Sequence, residues 1–276
     1  MQRLPSLKET VEKYQLLAKK SLGQNFLLDM NITEKIIRLS LAAQGKTDFQ
    51  NECVYEIGPG PGGLTRAVLA ANPAQLTVIE MDERCIQIMN DIKNVVGEKL
   101  QIVSGDALKY DFTQPSLWPK NIVSNLPYNI SVPLLVSWLK NAGQYKSMTL
   151  MFQKEVAERI TADIGTKDYG RLSVLAQLTC NIKNLFNLSP SCFVPPPKIW
   201  STVLLFRPLE QLPTPDILNK TEKLAAMAFG QRRKMIRQSL KQISGIAEIC
   251  EALDIDITCR AENLTPQQYL QIAKML

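Results

Sequence analysis

The stretch E-I-G-P-G-P-G-G-L-T, Glu56 to Thr65, decides how the chain is to be read. Gly58, Gly60 and Gly63 stand as G-x-G-x-x-G between an apolar run, Cys53–Ile57, and a helical pattern, Leu64–Ala71. Glycines in that place let the backbone turn tightly, and let a ligand approach the amides at a helix start. On its own the spacing is weak evidence, since a tight turn alone would explain it.

The neighbouring sequence strengthens it. Short β-rich runs at Cys53–Ile57, Leu76–Glu80, Leu100–Val103, Asn121–Ser124 and Met148–Phe152 alternate with helical patterns at Leu64–Ala71, Glu83–Val95, Val132–Asn141 and Gln153–Asp163. Such alternation predicts right-handed βαβ units, hence an α/β fold with an open parallel sheet covered on both faces. Upstream, Ile32–Ala43 has helical spacing, and the first thirty residues read as a polar, partly helical arm. Downstream, a helix is expected at Tyr169–Thr179. Strands are expected at Asn181–Leu188 and Ser201–Phe206, with no helix between them, so an antiparallel end to the sheet is predicted. After the proline-rich R-P-L-E-Q-L-P-T-P-D the pattern is helical: Ile217–Phe229, Arg233–Ile243, Ala247–Leu253 and Pro266–Met275. The domains expected are an arm at 1–30, an α/β domain at 31–208 and an all-α domain at 216–276.

Glu80 ends the second strand, twenty residues after Gly60. A carboxylate there can accept from both ribose hydroxyls of an adenosine-containing cofactor. A nicotinamide dinucleotide would share this acid and the glycine loop. An S-adenosylmethionine enzyme adds an acid or amide after the third strand for the adenine, and Asp106 of S-G-D-A-L stands there. A turn or N-cap aspartate is the competing reading of Asp106.

The fourth strand ends in S-N-L-P-Y-N-I, Ser124–Ile130. Pro127 cannot donate to a sheet ladder, so the strand should stop. The Asn125 side-chain oxygen and the Leu126 carbonyl could accept the two N6 hydrogens of an adenine. Its conjugated amine would then become more pyramidal and more nucleophilic. Tyr128 could stack on the extruded base, worth about 1–3 kcal/mol. The proton leaves after transfer, so no histidine base is required. A helix cap plus a buried tyrosine is the plainer reading of the same residues.

Composition narrows the classes. The 276 residues contain no histidine, which excludes Ser-His-Asp and Cys-His mechanisms and disfavours a metal centre. The six cysteines show no C-x-x-C pair, so reduced cytosolic thiols are expected rather than zinc or disulfides. With 45% hydrophobic and 21% charged residues the chain reads as soluble and globular. Neither a membrane span nor an apolar signal core is visible, and nothing demands more than a monomer. The net charge of +6 is uneven: Lys19 and Lys20 precede S-L-G-Q-N-F, and G-Q-R-R-K-M-I-R-Q contains Arg232, Arg233, Lys234 and Arg237. That asymmetry suggests a polyanionic partner, against the alternative of a solvated helix face.

The ordered set S-L-G-Q-N-F-L-L-D, E-I-G-P-G-P-G-G-L-T, T-V-I-E-M-D, G-D-A-L, N-L-P-Y-N-I-S, F-Q-K-E-V-A-E-R-I, Y-G-R-L-S-V, F-V-P-P-P-K-I-W-S-T-V, F-G-Q-R-R-K-M-I-R-Q-S-L and R-A-E-N-L-T-P-Q-Q-Y resembles the small-subunit ribosomal RNA adenine N6,N6-dimethyltransferases, the KsgA type. The likeness spans nearly the whole chain. It implies a Rossmann-like class I methyltransferase sheet plus a small helical C-terminal domain, with S-adenosylmethionine as donor. It implies as substrate two adjacent adenosines in the 3′-terminal hairpin loop of small-subunit rRNA, within a ribosomal subunit precursor. Carried over by position, Asn25, Leu27, Gly58 and Gly60 would touch the cofactor, Glu80 its ribose and Asp106 its adenine. Asn125 would sit between cofactor and target, in a catalytic run completed by Leu126, Pro127 and Tyr128. Tyr128 and Phe193 would sandwich the base, although Phe193 also reads as a core residue at a strand entry. Lys19, Lys20, Arg232, Arg233, Lys234 and Arg237 would contact RNA. Pro61-Gly62 departs from the larger aliphatic residue frequent in the family. The start of the chain looks somewhat like the mitochondrial branch, though a bacterial cytoplasmic protein is expected. The macrolide-resistance enzymes of large-subunit rRNA share Q-N-F and an N-x-P-Y/F motif, and a binding factor making little use of its cofactor site is the non-enzymatic alternative.

Overall fold

The computed structural model describes residues 4–18 and 24–276. A seven-stranded sheet has the order β4-β3-β2-β5-β6-β9-β7. Its strands are β2 (Cys53–Ile57), β3 (Gln75–Glu80), β4 (Leu100–Ser104), β5 (Lys120–Asn125), β6 (Tyr145–Gln153), β7 (Cys180–Leu188) and β9 (Ser201–Pro208). Two further short strands, β1 (Phe26–Leu27) and β8 (Phe193–Val194), pair antiparallel with each other. Strands β4, β3, β2, β5 and β6 run parallel, and β9 returns antiparallel to β6 with Gln153 opposite Ser201. The α/β class and the antiparallel end both follow the alternation in the sequence.

Strands β3 and β5 flank β2 although β3 follows β2 in the chain and β5 comes two strands later. The strand order therefore reverses between β2 and β5. Open α/β sheets bind ligands at the carboxyl ends of the strands at such a reversal. The helices feeding these strands are α1 (Leu7–Lys13), α2 (Met30–Ala42), α3 (Gly63–Ala70), α4 (Glu83–Val96) and α5 (Tyr128–Lys140). Aspartates cap two of them: Asp29 accepts from the Asn31 amide at the start of α2, and Asp82 from the Arg84 amide at the start of α4. Helix α3 is buried along nearly its whole length. Helix α5 starts four residues earlier than the pattern suggested, because Pro127 ends β5 and Pro133 is carried within the helix.

The chain packs as two compact units. One comprises Met1–Leu135, Gln144–Lys154 and Lys183–Arg207, and contains nearly all of the sheet. Its core joins Val54, Val68, Leu76, Val78, Met89, Leu100 and Val123, all without exposed surface. The polar arm is folded onto this unit in part. The Arg66 Nη1 donates to the Pro5 carbonyl at 2.6 Å and Nη2 to the Thr10 hydroxyl at 3.2 Å, while Lys13 and Tyr14 both donate to Asp91.

The other unit comprises Val136–Gly143, Glu155–Ile182 and Pro208–Leu276. Besides the C-terminal helices it takes in α7 (Arg171–Thr179) and nearly all of α6 (Lys154–Thr161). The C-terminal helices are α8 (Pro215–Gly230), α9 (Ile236–Ser239), α10 (Ile246–Ala252) and α11 (Pro266–Met275). Thr214 and Thr265 cap α8 and α11, each with proline at the first helical position. Phe229 lies between Tyr169 and Tyr269, 5.9 Å from each ring centroid. The long helix expected over Arg233–Ile243 is replaced by the single turn α9. The amides of Ile236 and Arg237 bond the carbonyls of Cys259 and Ile257, and Met235 bridges Arg260, so tertiary partners displace the helical ones.

Candidate active site

A cleft opens at the carboxyl ends of β2 and β5. Gln24, Asn25, Phe26, Leu27, Glu56, Gly58–Leu64 apart from Gly62, Glu80, Met81 and Asn125–Tyr128 line it. Two glycines are required here. Gly60 has φ +54°, and a Cβ on it would stand 3.0 Å from the Phe26 ring. A Cβ on Gly63 would meet the Leu27 carbonyl oxygen at 2.9 Å, so any side chain would push apart the wall formed by β1. Pro127 packs above Gly58, with ring carbons 3.6 Å from where a Cβ would be.

Glu80 ends β3 with only 6% exposure, and its Oε1 accepts from the amides of Met81 (2.8 Å) and Asp82 (2.9 Å). Burial pushes its carboxyl above the usual range, against those amide bonds. Met81, exposed at the lining, supplies an apolar surface beside this acid. Glu56 is a lining residue that the sequence did not single out. Burial, reinforced by the nearby Glu80 charge, pushes its carboxyl up to about 8, although the Thr65 hydroxyl donates to Oε2 at 2.7 Å. The only sequence signal for it was its place at the last inward position of β2. Gln24 donates to Asp82, whose carboxyl is held well below its usual range chiefly by the Arg84 guanidinium.

Asn125 is the last residue of β5, and its Nδ2 donates to the Asn25 carbonyl at 3.2 Å. That bond fixes the carboxamide and leaves Oδ1 as the acceptor face. Tyr128 begins α5 half-buried, its hydroxyl 2.8 Å from the Ser201 hydroxyl, and burial raises its phenol. Asn25, Leu27, Gly58, Gly60, Glu80 and the run Asn125–Tyr128 are therefore brought together.

Three expectations are altered. Phe193 is 2% exposed and lies in the core, because β8 pairs it with Leu27 and turns its ring inward. As placed, it presents no open face to a base. Asp106 is not among the lining residues. It follows Gly105, whose amide bonds the Glu80 carbonyl, and its Oδ1 closes a turn by accepting from the Leu108 amide. The Arg232 side chain is committed within its own unit: Nε donates to Glu262 at 2.6 Å and Nη2 to the Thr166 carbonyl at 2.8 Å. Arg233, Lys234 and Arg237 are exposed. Lys19 and Lys20 lie outside the described residues.

The lining suits one kind of adenosine cofactor better than another. Among the described residues it contains two buried carboxylic acids and no lysine or arginine. A pyrophosphate would find no countercharge, whereas a sulfonium with an α-ammonium group would find two acids that lack one. The glycine cradle, the strand-end acid and the strand-order reversal, with β9 antiparallel beside β6, fit the class I methyltransferase fold. A dimethyladenosine transferase from Plasmodium falciparum shares it, with TM-score 0.73 and 26% identity over 88% of this chain and 94% of that one. The 23S rRNA methyltransferase ErmE shares the fold at TM-score 0.66 and 24% identity, over 91% and 99% of the two chains.

Sequence comparison gives the narrower placement. The family profile described as Ribosomal RNA adenine dimethylase matches residues 15–276, and the chain belongs to that family. Proteins named Ribosomal RNA small subunit methyltransferase A are similar along most of their length. The one from Rhodospirillum rubrum is 44% identical over 98% of this chain and 92% of its own. The one from Brucella anthropi is 47% identical over 98% and 96%. The chain is accordingly a methyltransferase of ribosomal RNA that uses S-adenosylmethionine. No helix among the described residues is long and apolar enough to cross a membrane.

Proposed function

We propose that the protein dimethylates N6 of two adjacent adenosines in the 3′-terminal hairpin loop of small-subunit rRNA, within a subunit precursor, as a monomer of the bacterial cytoplasm. The observation carrying this reading is Asn125, an amide fixed at the end of β5 and beside the acid-lined cleft. The near-complete likeness to proteins named for the small subunit favours that RNA over the large-subunit one.

S-adenosylmethionine supplies an electrophilic methyl group. Asn25, Leu27 and the glycine loop would hold it, with Glu80 toward the ribose. The acceptors needed to make the target amine nucleophilic are Asn125 Oδ1 and the Leu126 carbonyl. Pro127 leaves that carbonyl outside the sheet ladder, because β5 has already ended. Tyr128, braced by Ser201, stacks on the base and fixes the angle of approach. Each transfer turns the amine into a cationic nitrogen that then loses one hydrogen as a proton. That nitrogen is acidic enough to deprotonate to water, so a chain without histidine suffices. Exposed Arg233, Lys234 and Arg237 supply phosphate contacts.

The test is transfer of labelled methyl groups to unmodified small subunits, large subunits and a DNA duplex, with nucleosides identified by mass spectrometry. Dimethyladenosine on small subunits alone supports the reading. Transfer to large subunits alone, or cofactor binding without transfer, overturns it.

A further inference from the structure

We infer that Trp200 is a stacking platform for the base next to the one held in the cleft, an inference that rests on the RNA-adenine reading above. The indole is 50% exposed, although its main chain is fixed at both sides. The Trp200 carbonyl accepts from the Lys154 amide at 2.8 Å. The next residue, Ser201, starts β9 opposite Gln153 and places its hydroxyl 2.8 Å from that of Tyr128. Consecutive Cα atoms are about 3.8 Å apart, so the indole springs from the backbone adjoining the outer end of the Tyr128 ring. That rim belongs to the same strand edge as Asn125, since β5, β6 and β9 are hydrogen-bonded neighbours.

An indole at this rim offers a flat apolar face on which a base can stack. What arrives at this rim is single-stranded RNA. Extruding the target adenine removes a stacking partner from its neighbour as well, and an aromatic face beside Tyr128 replaces it. Three consecutive prolines, Pro195–Pro197, stiffen the loop leading to Trp200 and so limit the entropy lost when a base settles. Exposed Lys198 in the same loop can meet the intervening phosphate. Trp118 is a natural control: it is 40% exposed, but precedes β5 and stands about 20 Å from Asn125 along the strand direction.

The experiment is steady-state methyl transfer to unmodified small subunits at saturating S-adenosylmethionine. Trp200→Ala should raise KM for subunits at least fivefold, leaving kcat within twofold and cofactor affinity unchanged. Trp200→Phe should stay within about twofold of wild type, while Trp200→Leu behaves as the alanine variant. Trp118→Ala should match wild type. The dependence of log KM on log salt should keep its slope in Trp200→Ala, because stacking removes no phosphate contact. An active wild type matched by Trp200→Ala, or rescue by leucine as good as by phenylalanine, overturns this inference alone. A wild type that methylates no RNA adenine overturns it together with the reading beneath it.

Discussion

Replacing Glu56 by glutamine should flatten much of the protein's loss of stability between pH 5 and pH 7. Glu56 is buried at the end of β2, and burial raises its carboxyl from an ordinary 4.5 to about 8. Between those values the folded protein holds a proton that the unfolded chain has released. Stability contributed by this group is therefore complete below about pH 4.5 and falls as pH rises toward 8. Each pKa unit corresponds to about 1.4 kcal/mol, so the loss at this one site from pH 5 to pH 7 is about 2.5 kcal/mol. Glutamine does not titrate and keeps an oxygen for the Thr65 hydroxyl, now 2.7 Å away. Urea unfolding of both proteins at pH 5, 6 and 7, at one ionic strength, measures the difference. Glu80 also titrates above its usual range, but it does so in both proteins. Wild type should lose about 2 kcal/mol more than Glu56→Gln over this range. Parallel pH profiles would refute the assignment of a protonated acid at this position. A bound cation should then draw the proton off, so S-adenosylmethionine binding at pH 7 should release close to one proton from wild type. Calorimetry in buffers of different ionisation enthalpy would detect this, with a much smaller release from the variant.

Asn125→Ala should lower single-turnover transfer by about 10²-fold or more while cofactor affinity changes only severalfold, and near-wild-type turnover would remove the amine-activation argument. Alanine at Arg233, Lys234 or Arg237 should weaken subunit binding and reduce its salt slope by about one unit each, as read by filter binding across salt. An unchanged slope would return these residues to a solvated surface. Arg232→Ala should instead act on stability, lowering the melting temperature through loss of the Glu262 and Thr166 bonds; weaker RNA binding at unaltered stability would contradict that placement. Gly63→Ala should cost about 1–3 kcal/mol in stability and impair cofactor binding, because the new methyl meets the Leu27 carbonyl. Unaltered melting and affinity would show that the β1 wall yields freely.

What the sequence made legible was local. The glycine loop, the acid ending β3 and the amide ending β5 each sit within a few residues of a strand end, where spacing alone fixes position. What escaped it depends on partners far along the chain. Phe193 enters the core because it pairs with Leu27, and a two-residue ladder leaves no periodicity to read. Arg232 looked like one more cation in a basic run until Glu262 came beside it. The helix expected from Arg233 starts late because Cys259 and Ile257 offer carbonyls to the amides of Ile236 and Arg237. Glu56 was hidden by its neighbours, since an acid beside a glycine loop carries no mark of its burial. Asp106 occupies the turn that its local sequence also allowed.

The helical unit is gathered from three stretches of chain, separated by returns to the sheet. A cut near residue 208, where the composition changes, would therefore not release it whole. The N-terminal product would retain α6 and α7 with no α8 or α11 to cover α7, and the C-terminal product would lack the Tyr169 ring that flanks Phe229. During synthesis the same interleaving holds α6 and α7 waiting until the last seventy residues have been made. The two halves of this protein are thus not separable by a single incision, and swapping its helical unit between relatives would require exchanging internal segments together with the tail.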